Sequence, residues 1–348
     1  MLEGYKNHSF ADKLAPDSPI ASEGKALVIG FLSTFGDLEV LHQVEENLAA
    51  HGMAYEIAAF SQKLARNYPD WVDARLVNPL EFSHLIVVCG PFCSDHFKRE
   101  HDLFARFDHC AWIGVNLSMI ERVKDFNPFD FLIERDSERA IRPDLSFLSL
   151  PPKVPVVGLC LATHQPEYRG RQQHERAAAC LKALIERSGA AVVTLDTRSP
   201  LFRKSQGVAN ASQFESLCAR VDVVLTTRLH GTVLALKNGI PVIAVDAIMD
   251  GGKLSAQVKL IGWPEIYNAS DVTSTILDEA LTRCLAPGAR AAALQCSQRA
   301  ASLLDDFKSV FGKALNSKTN RLPMTAKKRL WLSLMTQIIL LKRKMKRR

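Results

Sequence analysis

Hydrophobic and polar positions along this chain fall into two textures. Short apolar, β-branched runs read as buried strands, and between them apolar residues recur at spacings of three and four, as on one face of a helix. In the first half, strands are expected at Ala26–Gly30, Tyr55–Phe60, His84–Gly90, Ala111–Asn116 and Phe129–Ile133, with helices over about Leu38–His51 and His96–Phe107. In the second half, strands are expected at Val154–Leu161, Ala190–Leu195, Val221–Leu225, Val242–Val245 and Trp263–Asn268. Helices fall at Gln172–Ser188, Asn210–Ala219, Val272–Cys284 and Arg290–Leu315. Strands that alternate with helices imply parallel, doubly wound sheets. A proline-rich joint (Arg142-Pro143 to Pro155) separates the two series. The fold expected is therefore α/β, with two Rossmann-like domains facing a cleft: a leader over 1–24, an N-terminal domain over 25–150, a C-terminal domain over 151–316 and a tail over 317–348.

The clearest unit runs from Val221 to Lys253. A buried strand ends in Thr226-Thr227-Arg228-Leu229-His230-Gly231, an apolar helical pattern follows, Gly239 stops it, and Pro241 opens a second buried strand that ends at Asp246. Open α/β sheets bind ligands at the carboxyl ends of their strands, and helix N-termini favour anions. An Arg and a His at that point suggest a site for a small, doubly charged acid.

Composition changes this picture little. The 348 residues are 47% hydrophobic and 23% charged, as in ordinary globular proteins. The eight cysteines lie mostly in apolar runs, without a second pair at zinc spacing, so no metal site is expected and a reducing, cytoplasmic compartment is. Residues 1–24 lack the apolar core of a signal peptide. Charge is more informative. The formal net charge is +7, and residues 326–348 alone carry nine basic and no acidic side chains, which leaves −2 for the remainder. A nucleic-acid-binding body would spread its positive charge over a face, so no nucleic-acid partner is expected. Within the tail, Leu330–Leu341 is mostly apolar and flanked by basic clusters. As a helix about 18 Å long it is too short to span a bilayer. It is expected as a basic amphipathic helix on an anionic membrane surface, with Trp331 at headgroup depth.

The segment Thr227-Arg-Leu-His-Gly231, followed by Gly239-x-Pro241, Asp246 and Gly252-Lys253, resembles the signature of the polysaccharide pyruvyl transferases. Weaker pieces follow the same order: Gly36-Asp37-Leu38-Glu39, Val87-Val-Cys-Gly90, Arg135-Asp136-Ser137-Glu138 and Pro143-Asp-Leu-Ser-Phe147. The chain departs from the family pattern at Pro91, at Phe35 and in the serine at position 137. The resemblance spans about residues 26–275. It implies a glycosyltransferase-B-like pair of domains that moves a pyruvyl group from phosphoenolpyruvate to sugar hydroxyls of a cell-surface polysaccharide precursor. The reaction forms a ketal and releases phosphate, with phosphoenolpyruvate as donor substrate and no cofactor. The acceptor, a glycan or lipid-linked oligosaccharide, falls to the N-terminal domain and the donor to the C-terminal one, at the inner face of the cytoplasmic membrane.

Such chemistry needs cations for a carboxylate and a phosphate, an acid for the methylene carbon, and a base for the attacking hydroxyls. Arg228 offers a bidentate fork, with the helix start at Leu229, His230 and Gly231 beside it. An imidazole can carry a proton near neutral pH, so His230 is the candidate acid or phosphate contact, while Gly231 lets backbone approach a ligand. Lys253, Arg169 and Arg171 are candidate further cations. Asp37 is either an acceptor-side base or a helix cap. Glu134-Arg135-Asp136 is either an inter-domain ion pair or a site. Two other functions fit the same scaffold: a nucleotide-sugar glycosyltransferase, and a non-catalytic member of a polysaccharide assembly complex.

Overall fold

The computed structural model describes residues 24–60, 66, 68–163, 165–198, 208–317 and 324–345. The expected leader lies outside the described residues except for Gly24. The chain divides into two compact units, Met1–Pro152 and Lys153–Arg348.

The first unit is built on a parallel sheet. Its strands are β1 (Lys25–Gly30), β2 (Ala54–Ala59), β3 (Val72–Asp73), β4 (His84–Val88), β5 (Pro91–Phe92), β6 (Ala111–Met119) and β7 (Phe131–Asp136). They run in the order β3-β2-β1-β4-β6, and both β5 and β7 pair with β6. The apolar runs of β1 and β4 are almost wholly buried, as expected of parallel strands covered on both faces. Helix α1 (Phe35–Ala50) packs Val40, Leu41 and Val44 on one face.

Two expectations need correction in this unit. The helix expected over His96–Phe107 breaks into α2 (Ser94–Arg99), α3 (His101–Phe104) and a 3₁₀ turn, with the break at Glu100. The break lets Phe97 stack on Phe104 at 5.5 Å while Phe104 and Phe107 enter the core. The strand expected to end at Ile133 instead runs on through Asp136, because Glu134 is carried inward onto Arg139 and Arg142 (2.8 and 3.1 Å). Arg135 meets Asp136 and Asp144 (3.0 and 3.1 Å) and also Ser118. These pairs all lie within the first unit.

The second unit has β8 (Val156–Cys160), α4 (His174–Ser188), β9 (Ala191–Thr194), α5 (Ala211–Cys218), β10 (Val223–Thr226), α6 (Leu229–Lys237), β11 (Val242–Asp246), α7 (Lys253–Ile261) and β12 (Ile266–Asn268). Helices α8 (Ser274–Leu285), α9 (Ala289–Ser302), α10 (Phe307–Leu315) and α11 (Ala326–Met345) follow. All five strands are parallel, in the order β12-β11-β10-β8-β9. β10 and β11 are buried at every position. Leu181 and Leu184, Leu236, Val258, Leu277 and Leu281 from the flanking helices fill the core around them. From β8 the chain steps one way to β9 and the other way to β10. The carboxyl ends of β8 and β10 therefore border the point where the winding reverses, the customary ligand position of such sheets.

The single helix expected over Arg290–Leu315 is two, because α9 buries Ala293 and Cys296 whereas Leu303, Leu304 and every residue of α10 lie outside the core. Helix α7 (Lys253–Ile261) falls in a stretch where the sequence pattern predicts no element. No helix among the described residues is long and apolar enough to cross a membrane.

Asp144 anchors the carboxyl end of the first unit's sheet. Burial works to raise its pKa, but hydrogen bonds from Asn116, Ser146 and Arg135 outweigh that and hold the carboxyl down at about 2. A depressed carboxyl contributes stability that is present above its unfolded pKa and lost as pH falls through the folded one. Asp144→Asn should cost about 2 kcal/mol at neutral pH. In denaturant titrations, the gap between wild type and variant should close between about pH 4 and pH 2; a gap independent of pH would refute the anchoring.

Candidate active site

Where β8 and β10 end, their loops are stitched together. Thr226 Oγ1 donates to the Cys160 carbonyl (2.7 Å) and accepts from Arg228 N–H (3.0 Å), and Thr227 Oγ1 accepts from Ala162 N–H (2.6 Å). This fixes Arg228 in extended conformation as the N-cap of α6, with no side chain capping the helix. The Arg228 side chain turns back and donates from Nε to the Leu161 carbonyl (2.6 Å), with Nη1 3.4 Å from Thr197 Oγ1. Its hydrogen-bond partners among the described residues are neutral, while its charge also helps to hold down the carboxyl of Asp196, which is itself paired with Arg198 at 2.8 Å. His230 follows at the second helical position and is exposed.

A cavity of about 150 Å³ opens at this point. Arg228, Leu229 and His230 line one side and Lys253 and Leu254 another, with Tyr168, His174, Thr197 and Asp246 completing it. Lys253 is the first residue of α7, whose N-cap is Gly252, so α7 too has no cap from its own N-cap residue. Two helix N-termini and the side chains of Arg228, His230 and Lys253 thus meet at one small cavity. Uncapped first-turn N–H groups and the helix dipole both favour an anion there.

Asp246 holds the second half of this arrangement. Its buried carboxylate at the end of β11 accepts from Ile248 N–H (3.0 Å), Gly252 N–H (2.7 Å), Ser255 N–H (3.0 Å) and Ser255 Oγ (2.7 Å). It caps α7 from outside the helix and so sets where Lys253 leaves the backbone.

The other candidates lie elsewhere. Arg171 is held by the Met249 carbonyl (2.8 Å) and sits 3.7 Å from Asp250, and Arg169, in left-handed backbone (φ 50°), is exposed outside the cavity. Gly231 is buried, and the close approach it permits is internal: a Cβ there would lie 2.5 Å from Thr226 Oγ1 and 3.1 Å from Cys160 Sγ. The missing side chain lets the backbone of α6 press on the end of β10. Asp37, in the first unit, accepts from Thr34 N–H and Oγ1 (2.8 and 2.9 Å) in a capping box whose N-cap is Thr34. It is the box's third helical residue, not the cap. Burial pushes the Cys160 thiol up despite the Arg228 charge, which argues against a nucleophile there. Among the described residues no group of three His, Cys, Asp or Glu is placed to hold a metal ion.

Residues 163–247 match the family described as polysaccharide pyruvyl transferase. The resemblance seen in the sequence is to that family. The matched stretch begins in the loop after β8 and ends just after β11, so it contains most of the cavity, though not Lys253. No curated protein matches the chain. Among solved structures, a glycosyltransferase, VinC, in complex with dTDP is similar over 84% of this chain and 100% of its own, at 12% identity and a TM-score of 0.31. A UDP-GlcNAc 2-epimerase from Methanocaldococcus jannaschii is similar over 76% and 93%, at 11% identity and a TM-score of 0.29.

Removing the Asp246 carboxylate strands several buried donors, each worth about 1–3 kcal/mol when left unpaired. Asp246→Ala should therefore lower the thermal midpoint of the second unit and weaken phosphate binding, while Lys253→Ala should weaken binding alone. An Asp246→Ala protein with unchanged melting would disprove the capping role.

Proposed function

We propose that the chain is a pyruvyl transferase that uses phosphoenolpyruvate as donor and hydroxyls of a polysaccharide precursor as acceptor. The observation that carries the proposal is the convergence of Arg228, Lys253, His230 and the N-termini of α6 and α7 on one cavity of about 150 Å³. Phosphoenolpyruvate presents a carboxylate and a phosphate on a three-carbon frame, and a cavity with several separate cationic groups suits it. Sites for drug-sized ligands enclose about 300–1,000 Å³, so the volume favours a small acid over a whole nucleotide sugar.

In the proposed reaction a proton is added to the methylene carbon of the donor, leaving C2 electrophilic. Two sugar hydroxyls bond to C2 in turn, the C2–O bond to phosphate breaks, and the hydroxyl protons leave with phosphate and base. Arg228 and the first turn of α6 hold one anionic group, Lys253 and the first turn of α7 the other. His230, exposed at the rim, supplies or relays the proton. The acceptor is a glycan or lipid-linked oligosaccharide, met at the cytoplasmic face of the membrane.

The test is phosphate release from phosphoenolpyruvate in the presence of candidate glycans. Arg228→Ala should reduce kcat/KM about 100- to 1,000-fold, as loss of a charge-stabilising donor does, and His230→Ala about 100- to 10,000-fold if it transfers the proton. Thermal shift by phosphoenolpyruvate but not by nucleotide sugars is expected. Stabilisation by a nucleotide sugar alone would establish the glycosyltransferase alternative, and binding of neither would establish a non-catalytic member.

A further inference from the structure

Among the described residues nothing covers helix α11. Every described side chain from Met324 to Leu340 is exposed, including Trp331 at 58%, Leu334 at 50% and Ile338 at 44%. Laid out at 100° per residue, Leu330, Leu334, Ile338, Trp331, Met335, Ile339 and Leu332 fill one broad arc, while Arg329, Ser333, Thr336 and Gln337 share the opposite face, interrupted by Leu340. Such an arc in water exposes a contiguous apolar strip, and a strip of that kind marks an interaction surface.

Charge selects the partner. Lys327, Lys328 and Arg329 precede the apolar stretch and Lys342 follows it, and residues 326–348 include no acidic side chain. Lys327, Lys328 and Lys342 fall on the same face as the apolar arc, at its two ends along the helix axis. Against a protein groove these charges would be desolvated beside leucines. On a bilayer their stems can run along the acyl boundary while the ammonium groups reach the headgroups. The twenty-residue helix is about 30 Å long, which matches a bilayer core. But the basic ends leave a central apolar stretch about 18 Å long, and no helix among the described residues is apolar enough to cross. The helix therefore fits in the plane of the interface and not across it.

We propose that α11 is an in-plane docking helix for an anionic lipid surface, with Trp331, Leu334 and Ile338 entering the acyl boundary and the flanking lysines and Arg329 binding lipid phosphates. This deepens the membrane location in the function proposed above, and it is tested without substrate, so the donor chemistry and the docking stand or fall separately.

The full-length protein should co-sediment with vesicles of phosphatidylcholine plus phosphatidylglycerol, and far less with phosphatidylcholine alone. Each basic residue near an anionic surface contributes enough that Lys327→Gln/Lys328→Gln/Arg329→Gln should weaken partitioning about a hundredfold. Raised salt should weaken wild type in the same direction. Trp331 emission should shift blue on binding, and that shift should vanish in Trp331→Phe. Leu334→Ser/Ile338→Ser, exposed positions whose change leaves the folded body intact, should also release the protein. Equal binding to neutral and anionic vesicles would overturn the proposal. So would vesicle binding that survives both the charge and the apolar substitutions, or concentration-dependent dimerisation through α11 in place of vesicle binding.

Discussion

In a parallel sheet all carboxyl ends lie on one edge, and every crossover helix starts from that edge. The constraint is geometric. Once β8, β10 and β11 are parallel neighbours, the N-termini of α6 and α7 must begin on the same side of the second unit's sheet. The winding reverses between β8 and β10, so their following loops part and leave room between them. The candidate site is the result. Nothing in it requires a special loop of its own beyond two unusual contacts that make the helices start where they do.

Those contacts are Gly231 against Thr226 and Asp246 against the start of α7. The first lets α6 come closer to β10 than any side chain would permit. The second replaces the cap that Gly252 cannot supply, using a carboxylate from the neighbouring strand. Both serve the same end. Helix α6 has no side-chain cap, and the carboxylate that caps α7 reaches only its third residue and the N-cap itself. The remaining first-turn N–H groups stay available to a ligand. Arg228 completes the arrangement, because the Leu161 carbonyl orients its guanidinium without neutralising it.

The parts of this that are local in sequence were legible there. The runs from Val221 to Leu225 and Val242 to Val245, the Arg-Leu-His-Gly turn and the stops at Gly239 and Pro241 each follow from period and turn chemistry, and they bring Arg228, Leu229, His230 and Lys253 to one cavity. What was not legible is long-range. Tyr168, His174 and Thr197 have no pattern that marks them, since they reach the cavity only through the β8 and β9 loops. Helix α7 was hidden because its signal for starting, Asp246, lies six residues before Gly252 and not at the N-cap. Asp37 shows the converse: its position at a helix start was evident, but Ser33 and Thr34 had to be seen in place to show the carboxylate turned onto backbone and not toward solvent. The helix over Arg290–Leu315 was read as one because its composition is uniform, whereas burial ends at Cys296.

Charge is divided in the same economical way. The body of the chain is close to neutral, and the cations that matter at the cavity are few and fixed by backbone. A general positive field would attract anions of every kind. A few cations at two helix starts select by geometry, since they line one small volume. The described basic residues of the tail, Lys327, Lys328, Arg329 and Lys342, form no such geometry and are spread along α11 with apolar residues between. An extended anionic surface satisfies that distribution, and a single small ligand does not. The two positive regions therefore differ in kind as well as in place, and the sequence separation between Lys253 and Lys327 lets each be tuned without the other.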